Sequence, residues 1–347
     1  MSADVRTVPL SPAPERTRGR PPRAGWRVVA AKEFGDYLSN VRFWILLLIL
    51  GLAAATTVYF AASAVRDIAS NLSGGGTVFI AMFTVAPSDL STSQPAQIPP
   101  FYGLVGFLLP LVGIAFGFDA INGERAQGTL PRLLAQPIHR DDVINGKFAA
   151  GLAVIATVLV AITGLIAAIG IVRLGITPGI DEVARLIAWL VVSIVYVGFW
   201  LAFATLCSVA LRRAATSALV AIGLWLLVTI FATFLVSTIA GILAPGGSGS
   251  SIDDQVANAN WTQFLSSLSP STLYQQATVV LLNPTYQTVG VILPSQAQQL
   301  QTGGIPTILP FSQSLLLIWP QVVAIVGLTV ACFAVAYVLF LRQEVRA

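Results

Sequence analysis

Few residues of this chain are of a type that does chemistry, and they do not lie together in the sequence. The chain has one histidine, His139, and two cysteines, Cys207 and Cys332, which both lie inside apolar runs. No HExxH motif is present, so the sequence predicts neither a His/Cys metal site nor a hydrolase. Gly146-Lys147-Phe148 lacks both the earlier glycine and the Ser or Thr of a phosphate-binding loop. We therefore expect no catalytic, cofactor-binding or metal-binding residue in this chain.

The informative polar residues lie in one segment, residues 116–147, with the sequence FGFDAINGERAQGTLPRLLAQPIHRDDVINGK. Thr129 is a typical N-cap residue and Pro137 a typical helix stop. Three residues between them have the i, i+3, i+4 spacing of one helix face: Leu130, Leu133 and Leu134. The pattern predicts a short helix with an apolar face and charged flanks, suited to dock in a groove on a partner protein. After it, Arg140 and either Asp141 or Asp142 mark a turn and a cap for the next long helix.

The elements that must position this segment are membrane-spanning helices. The chain has 347 residues, of which 56% are hydrophobic and only 10% charged, and its mean hydropathy is +0.81. A soluble domain carries about 25% charged residues, so a single soluble core is excluded. The sequence predicts an all-α integral membrane protein, since a crossing takes about 20 apolar residues. Six predicted spans fit the apolar runs: 43–65, 101–121, 148–172, 186–211, 214–243 and 315–341.

The basic residues sort by side of the membrane. With the N-terminus in the cytoplasm, 16 of the 19 Lys and Arg residues fall on the inner side, and only Arg66, Arg173 and Arg185 fall outside. This bias predicts that both termini are cytoplasmic in a cell-membrane protein. The net charge of +4 is therefore a topology signal rather than a nucleic-acid-binding surface. Lys147 is expected at the inner membrane edge, where its ammonium group reaches water.

Two segments precede the first span. Residues 1–23 are rich in proline and arginine and are expected to form a disordered cytoplasmic tail. Residues 24–41 place apolar residues at helical spacing, which predicts an amphipathic helix lying in the membrane interface. An extension of the first span into the cytoplasm is the alternative, because an amphipathic stripe does not fix orientation.

Two segments are predicted outside the membrane. Residues 66–100 are rich in Gly, Ser and Pro, and residues 244–314 contain no Lys or Arg. The apolar runs of 244–314 are too short to span, but they supply surface to bury. We expect a small external cap there, with helices near 252–268 and 271–282.

No acid, base or histidine lies in the middle of a predicted span; the nearest is Asp119, at the end of the second. An ion-coupled carrier generally shows such residues, so this class is disfavoured. If ATP drives this protein, another subunit hydrolyses it.

Residues 24–347 resemble the permease subunits of type-2 ATP-binding-cassette exporters. The residues that carry the resemblance lie in segment 116–147: Asp119, Gly123-Glu124-Arg125, Gly128-Thr129-Leu130, Leu133-Leu134, Pro137, Arg140 and Gly146-Lys147. The resemblance extends to three further features: the sequence Lys32-Glu33-Phe34 before the first span, the six spans, and Ser269-Pro270. The segments 66–100 and 244–314 are longer than in compact members of the family.

The resemblance implies a partner that binds ATP and Mg, and a transporter built from two permeases and two ATPases in the lipid bilayer. The loop between spans 2 and 3 would be its coupling helix. Glu124 and Arg125 would orient this loop, with pairing to each other or to water as the alternative. The leucines 130, 133 and 134 would insert into the ATPase.

The second span contains a small-xxx-small pair, Gly113 and Gly117. It is compatible with helix contact across a subunit interface and equally with internal packing. The leading functional hypothesis is a permease that exports an apolar or amphipathic cargo. The alternative is a membrane scaffold that passes ATPase motion to an external partner through 244–314, without moving a cargo.

Overall fold

A computed structural model describes residues 25–69, 78–84, 100–129, 139–175, 177–244, 251–284 and 309–343. Every regular element in these ranges is a helix. In chain order they are α1 (Gly25–Ser39), α2 (Val41–Ala69), α3 (Val78–Thr84), α4 (Phe101–Gly117), α5 (Asn122–Ala126), α6 (Arg140–Leu174), α7 (Ile180–Ala210), α8 (Ala214–Leu226), a π-helical turn (Leu227–Phe231), α9 (Ala232–Leu243), α10 (Ile252–Ser266), α11 (Pro270–Leu282) and α12 (Phe311–Arg342). The predicted tail at 1–23 lies outside the described residues.

Six stretches of the described chain are long and apolar enough to cross a membrane, which confirms the predicted number. They are Phe43–Ala62, Phe101–Ala126, Arg140–Arg173, Ile180–Ala210, Ala214–Phe231 and Phe311–Arg342. Two helices begin earlier than the predicted spans 148–172 and 186–211. Acidic residues in their first turns, Asp141 and Asp142 in α6 and Asp181 and Glu182 in α7, favour these starts.

Helix α7 lies at the centre of the bundle. It packs against α4, α6, α11 and α12, and its side chains Trp189, Tyr196 and Trp200 are fully buried. By contrast, α2, α8, α9 and α12 expose large apolar side chains, such as Leu48 on α2 and Leu316 on α12. An apolar outer surface is what a helix bundle presents to lipid.

Gly113 and Gly117 are used for packing inside the chain. A Cβ atom at Gly117 would come within 2.7 Å of Ala204 Cβ, and one at Gly113 within 2.9 Å of the Val197 carbonyl oxygen. The backbones of α4 and α7 therefore approach closely where only glycine fits. Both positions face α7, so the geometry favours internal packing of the two alternatives.

The two ends of the bundle differ in their elements. One end, here called the α1 side, carries α1, α5 and the C-terminal end of α12, where Gln343 donates a hydrogen bond to the Val209 carbonyl (2.8 Å). The opposite end, the α11 side, carries α3 and the C-terminal end of α11, close to the start of α7. The turn between α7 and α8 consists of only three residues, Leu211, Arg212 and Arg213.

Helices α10 and α11 form where two helices were expected, but α11 is not a peripheral cap. Tyr274 of α11 stacks on Tyr196 near the middle of α7, with ring centroids 4.3 Å apart. Ser271, in the first turn of α11, contacts the hydroxyl of Tyr196 (3.0 Å) and that of Thr229 in the π-helical turn (3.3 Å). The aromatic and small residues of α11 thus complete the core of the bundle, while α10 packs along α9.

Candidate functional site

The segment 116–147 is described except for residues 130–138. The predicted docking helix, with Leu130, Leu133, Leu134 and Pro137, therefore lies outside the described residues. The two ends of the segment are described, and they meet α1 and α12 on the α1 side. The site consists of the side chains that hold these two ends.

Lys147 in α6 is the centre of a buried charge cluster. Its Nζ lies 3.1 Å from Glu33 Oε2 of α1 and 3.2 Å from Glu124 Oε1 of α5, and only 5% of its side chain is exposed. The expectation that Lys147 reaches water is wrong, because two carboxylates take the place of water around its ammonium group. Together with Thr129, these three residues are called the lysine cluster below.

Thr129 connects the lysine cluster to the beginning of the undescribed stretch. Its hydroxyl donates a hydrogen bond to the Glu124 carboxylate, and its backbone N–H donates to the Glu124 carbonyl (3.0 Å). Gly128 before it has φ +65°, a conformation that glycine adopts without strain. The chain thus turns back on α5 just before residue 130, so that Glu124 and Thr129 fix where this stretch starts.

Asp142 holds the other end of the stretch. Its carboxylate accepts a hydrogen bond from the N–H of His139 (3.3 Å) and another from the N–H of Trp26 (2.9 Å). The first of these caps α6 as predicted, and the second binds the start of α1. One carboxylate therefore joins the end of the loop to the first described helix.

A second group of contacts involves Gln343, directly after α12. Its side-chain oxygen accepts a hydrogen bond from Arg125, and its carbonyl accepts one from Arg140 Nη1 (3.3 Å). Glu124 and Arg125 do not pair with each other: the former bonds to Lys147 and the latter to Gln343. The loop is thereby connected to α12 as well as to α1.

The outer charges of α1 belong to the same side. Lys32 lies 2.9 Å from Asp36 and 3.6 Å from Glu33, and the hydrogen bond to Asp36 raises the pKa of Lys32 above its usual value. Burial raises the pKa of the Tyr37 phenol as well, so Tyr37 stays neutral. These groups carry charge and hydrogen bonds but no nucleophile paired with a base. In the ranges that the structure describes, no group of three His, Cys, Asp or Glu side chains could hold a metal ion.

Two members of the site were not singled out from the sequence as site residues, Glu33 and Gln343. Glu33 lies four residues after Val29 and is buried with it, so it is a carboxylate on the packed stripe of α1. That position was a usable signal, because a charge on such a stripe needs a partner. Gln343 gave no comparable signal, since its contacts come from three distant segments, at Arg125, Arg140 and Val209.

This architecture is that of a multi-pass α-helical membrane protein with a short loop held by charges at one end of its bundle. The chain belongs to the ABC-2 transporter family: the model of the ABC-2 family transporter proteins matches residues 27–345. It follows that the ATP-hydrolysing site of such a transporter is not expected in this chain.

Two curated relatives are named as probable ABC transporter permeases. The chain is 32% identical to the probable ABC transporter permease protein NosY of Stutzerimonas stutzeri over 142 residues, which is 39% of this chain and 49% of that protein. It is 29% identical to the protein of the same name from Pseudomonas aeruginosa over 120 residues, 35% of this chain and 36% of that protein. The matched part of this chain thus spans half or less of each relative.

Proposed function

We propose that the chain is the transmembrane permease subunit of an ATP-driven exporter whose ATPase is a separate subunit. Membership of the ABC-2 family and the two relatives named as permeases support this proposal. A second permease copy or a paralogue completes the translocation unit. The exposed apolar faces of α2, α8, α9 and α12 offer surface for such a copy and for lipid.

The α1 side is the cytoplasmic side in this proposal. It carries Arg125, Arg140, Lys147, Arg212 and Arg213, whereas Arg173 and Arg185 lie towards the α11 side. Cytoplasmic loops of membrane proteins carry the excess of Lys and Arg. With this orientation both termini and the stretch 130–138 are in the cytoplasm, where an ATPase subunit is available.

The observation that carries the coupling mechanism is the position of Lys147. It joins α1, α5 and α6 through Glu33 and Glu124, while Thr129 attaches the loop to the same carboxylate. A displacement of the loop by the ATPase is therefore transmitted to two spans and to α1 at once. The contacts of Arg125 and Arg140 with Gln343 pass it on to α12.

An apolar or amphipathic cargo fits the described spans. Their buried charges, Lys147, Glu182 and Arg185, lie near the ends of helices, while the middle of the bundle is aromatic and hydroxylic around Tyr196 and Tyr274. A charged cargo would need counter-charges along such a path. The alternative role, a scaffold acting through 244–314, loses support because α11 is part of the core.

Aspartate substitutions in the predicted docking helix test the proposal. We expect Leu133→Asp and Leu134→Asp each to reduce co-purification of the ATP-binding subunit and its permease-stimulated ATP hydrolysis at least tenfold, because a charge in an apolar groove costs several kcal/mol. Membrane insertion should be unchanged.

The matched control is Gln127→Asp, which adds the same charge on an exposed residue of the same loop. It should retain both properties within about twofold, as exposed substitutions generally do. If both leucine variants bind and stimulate the ATPase like the unmodified chain, the docking role is wrong. If the chain moves a cargo without any ATPase subunit, the function itself is wrong.

A further inference from the structure

Helices α10 and α11 form a hairpin that enters the bundle from the α11 side and returns to the same side. Helix α10 runs antiparallel to α9: Asn258, near the middle of α10, donates to the Ala244 carbonyl at the end of α9 (2.6 Å). Ser271, just after the end of α10, contacts Thr229, just before the start of α9 (3.3 Å). Helix α11 then runs outward again, because the Leu281 carbonyl near its end accepts a hydrogen bond from the beginning of α7.

The tip of this hairpin lies near the middle of the membrane. Ser271 contacts the hydroxyl of Tyr196 (3.0 Å), and Tyr196 is halfway between the exposed charges at the two ends of α7, Asp181 and Arg212. At 1.5 Å per residue these two charges are about 46 Å apart, close to the thickness of a bilayer with its headgroups, about 40–45 Å. The tip is therefore about 22 Å below the outer charges.

Helix α10 covers this depth from a charged start. Asp253 and Asp254 lie in its first turn and are exposed, and only three residues, Ser267–Ser269, connect its other end to α11. Its 15 residues span about 22 Å, which equals the distance from the outer charges to Tyr196. With the bilayer placed by the charges of α7, the second half of α10 lies at the depth of the hydrocarbon.

The exposed side chains of this half form two stripes with the same i, i+3, i+7 spacing. One stripe is polar, and we call it the polar stripe: Asn260, Gln263 and Ser267. The other is the apolar stripe, whose members are 41%, 58% and 63% exposed: Trp261, Phe264 and Leu268. The two stripes are about 100° apart around the helix, since each member of one directly follows or precedes a member of the other. They therefore face different surroundings.

Helix α11 has an exposed polar side chain at a similar depth. Among residues 270–282 only Gln275 is exposed. Its neighbour Tyr274 contacts the hydroxyl of Ser193 (2.9 Å), one turn from Tyr196. Lipid offers no hydrogen bonds to such a carboxamide, so its exposure to hydrocarbon is unfavourable.

We propose that the polar stripe and Gln275 line a water-filled outlet in the outer half of the membrane, while the apolar stripe faces lipid. Polar side chains at membrane depth generally face a protein interior or a water-filled cavity. The inference rests on the proposed function: the polar stripe is on the surface of one chain, so the second permease copy closes the outlet on its other side. Such an outlet fits an amphipathic cargo better than a wholly apolar one, because water solvates the polar part of the cargo on its way out.

The test is the reactivity of single introduced cysteines in the full chain in intact cells, with a charged, membrane-impermeant methanethiosulfonate as the probe. Gln263→Cys and Phe264→Cys are a matched pair, since they are neighbours at the same depth on different stripes. We expect Gln263→Cys to react at least tenfold faster, because the reactive thiolate forms in water and not in hydrocarbon. Ser267→Cys and Leu268→Cys should differ in the same way. The unmodified chain gives the background rate of the two native cysteines, which lie in spans.

Asp253→Cys is the reference outside the membrane and should react fastest. If Phe264→Cys and Leu268→Cys react as fast as Asp253→Cys, α10 lies in water outside the bilayer and the proposal is wrong. If Gln263→Cys and Ser267→Cys react as slowly as their apolar neighbours, the polar stripe faces lipid or is covered by another subunit, and the outlet is wrong. A slow reaction of Asp253→Cys would place the α11 side in the cytoplasm and contradict an outlet there.

These rates are measured without any cargo or ATPase subunit, so the outlet and the proposed function fail separately. Equal rates on the two stripes, together with normal binding of the ATP-binding subunit, would remove the outlet and leave the permease. Cargo movement without any ATPase subunit would remove ATP-driven export and leave the difference between the stripes intact.

Discussion

The two ends of the bundle both bury charged residues, but they stabilise them in different ways. On the α1 side, Lys147 is neutralised by two carboxylate side chains, Glu33 and Glu124. On the α11 side, Glu182 accepts from the backbone N–H groups of Phe79 (3.2 Å) and Gly179 (2.9 Å), and a third from Ile80 (3.4 Å). On the α1 side, carboxylate side chains neutralise the buried cation. On the α11 side, mainly backbone groups stabilise the buried charge, by hydrogen bonding.

Arg185 shows the same use of backbone on the α11 side. Its guanidinium donates to the carbonyls of Leu281 (3.3 Å) and Leu309 and to the Ser314 hydroxyl (3.0 Å), and only 1% of its side chain is exposed. Together, Glu182 and Arg185 hold α3, the end of α11 and the beginning of α12 against α7. They are called the Glu182–Arg185 cluster here.

The difference indicates which end is built to move. Backbone groups held by a buried charge cannot change partners without moving the whole segment, so the Glu182–Arg185 cluster fixes α3, the end of α11 and the start of α12 against α7. Side-chain ion pairs can exchange by rotation. The α1 side is therefore the end from which we expect local motion.

Removal of Arg185 should have the largest effect on stability. Arg185→Met leaves two buried carbonyls and the Ser314 hydroxyl without their donor, and each unsatisfied group costs about 1–3 kcal/mol. We expect a loss of about 3 kcal/mol, measured by unfolding of the detergent-solubilised chain.

The control is Asp181→Asn, which removes the carboxylate 2.8 Å from Arg185 Nε. The Asp181 side chain is 58% exposed, so this pair should contribute less than about 1 kcal/mol. If Asp181→Asn costs as much as Arg185→Met, the α11 side depends on an ion pair and the contrast between the ends fails.

Removal of Lys147 should have an intermediate effect. Lys147→Met leaves Glu33 and Glu124 facing each other without a cation, which should cost about 2 kcal/mol, since one of the two carboxylates is partly exposed. Part of this loss should return in the double variant Lys147→Met/Glu33→Gln, because one unpaired charge is gone.

A thermodynamic cycle of the two single variants and the double variant measures this coupling. A coupling energy near zero between Lys147 and Glu33 would contradict the lysine cluster as a unit. The same variants should also lower stimulation of the ATPase subunit, whereas Arg185→Met should lower stability with no specific effect on stimulation per folded molecule. Equal effects on stimulation would remove the functional difference between the two ends.

The sequence predicted the spans well because hydropathy acts over 20 residues at a time. It also predicted from local residue types a helix at 24–41, which the structure has at 25–39, and a cap by Asp141 or Asp142, of which Asp142 forms it. It did not predict that Lys147 is buried. This burial depends on Glu33 of α1, which is distant in the sequence but lies beside Lys147 of α6 in the fold. For the same reason, the sequence did not predict that α11 packs against Tyr196. The sequence pattern of an apolar helix of 13 residues is the same whether the helix lies in a core or in a surface cap. Contacts between distant segments, and not local patterns, decided both cases.

The smallest effect is expected for Thr129→Val, which keeps the side-chain shape and removes only the hydroxyl bond to Glu124. One such hydrogen bond contributes about 0.5–1.5 kcal/mol, so global stability should hardly change. The loss should instead appear as about fivefold faster hydrogen exchange of the backbone N–H groups of Gly128 and Thr129, which bond to the carbonyls of Arg125 and Glu124.

Thr216→Val is the matched control: it removes a hydroxyl bond to the Arg213 carbonyl at the start of α8 and should leave exchange at 128–129 unchanged. Exchange at Thr129 that is insensitive to its own hydroxyl would mean that the lysine cluster does not hold the loop, and that only Asp142 and Gln343 connect it to the bundle.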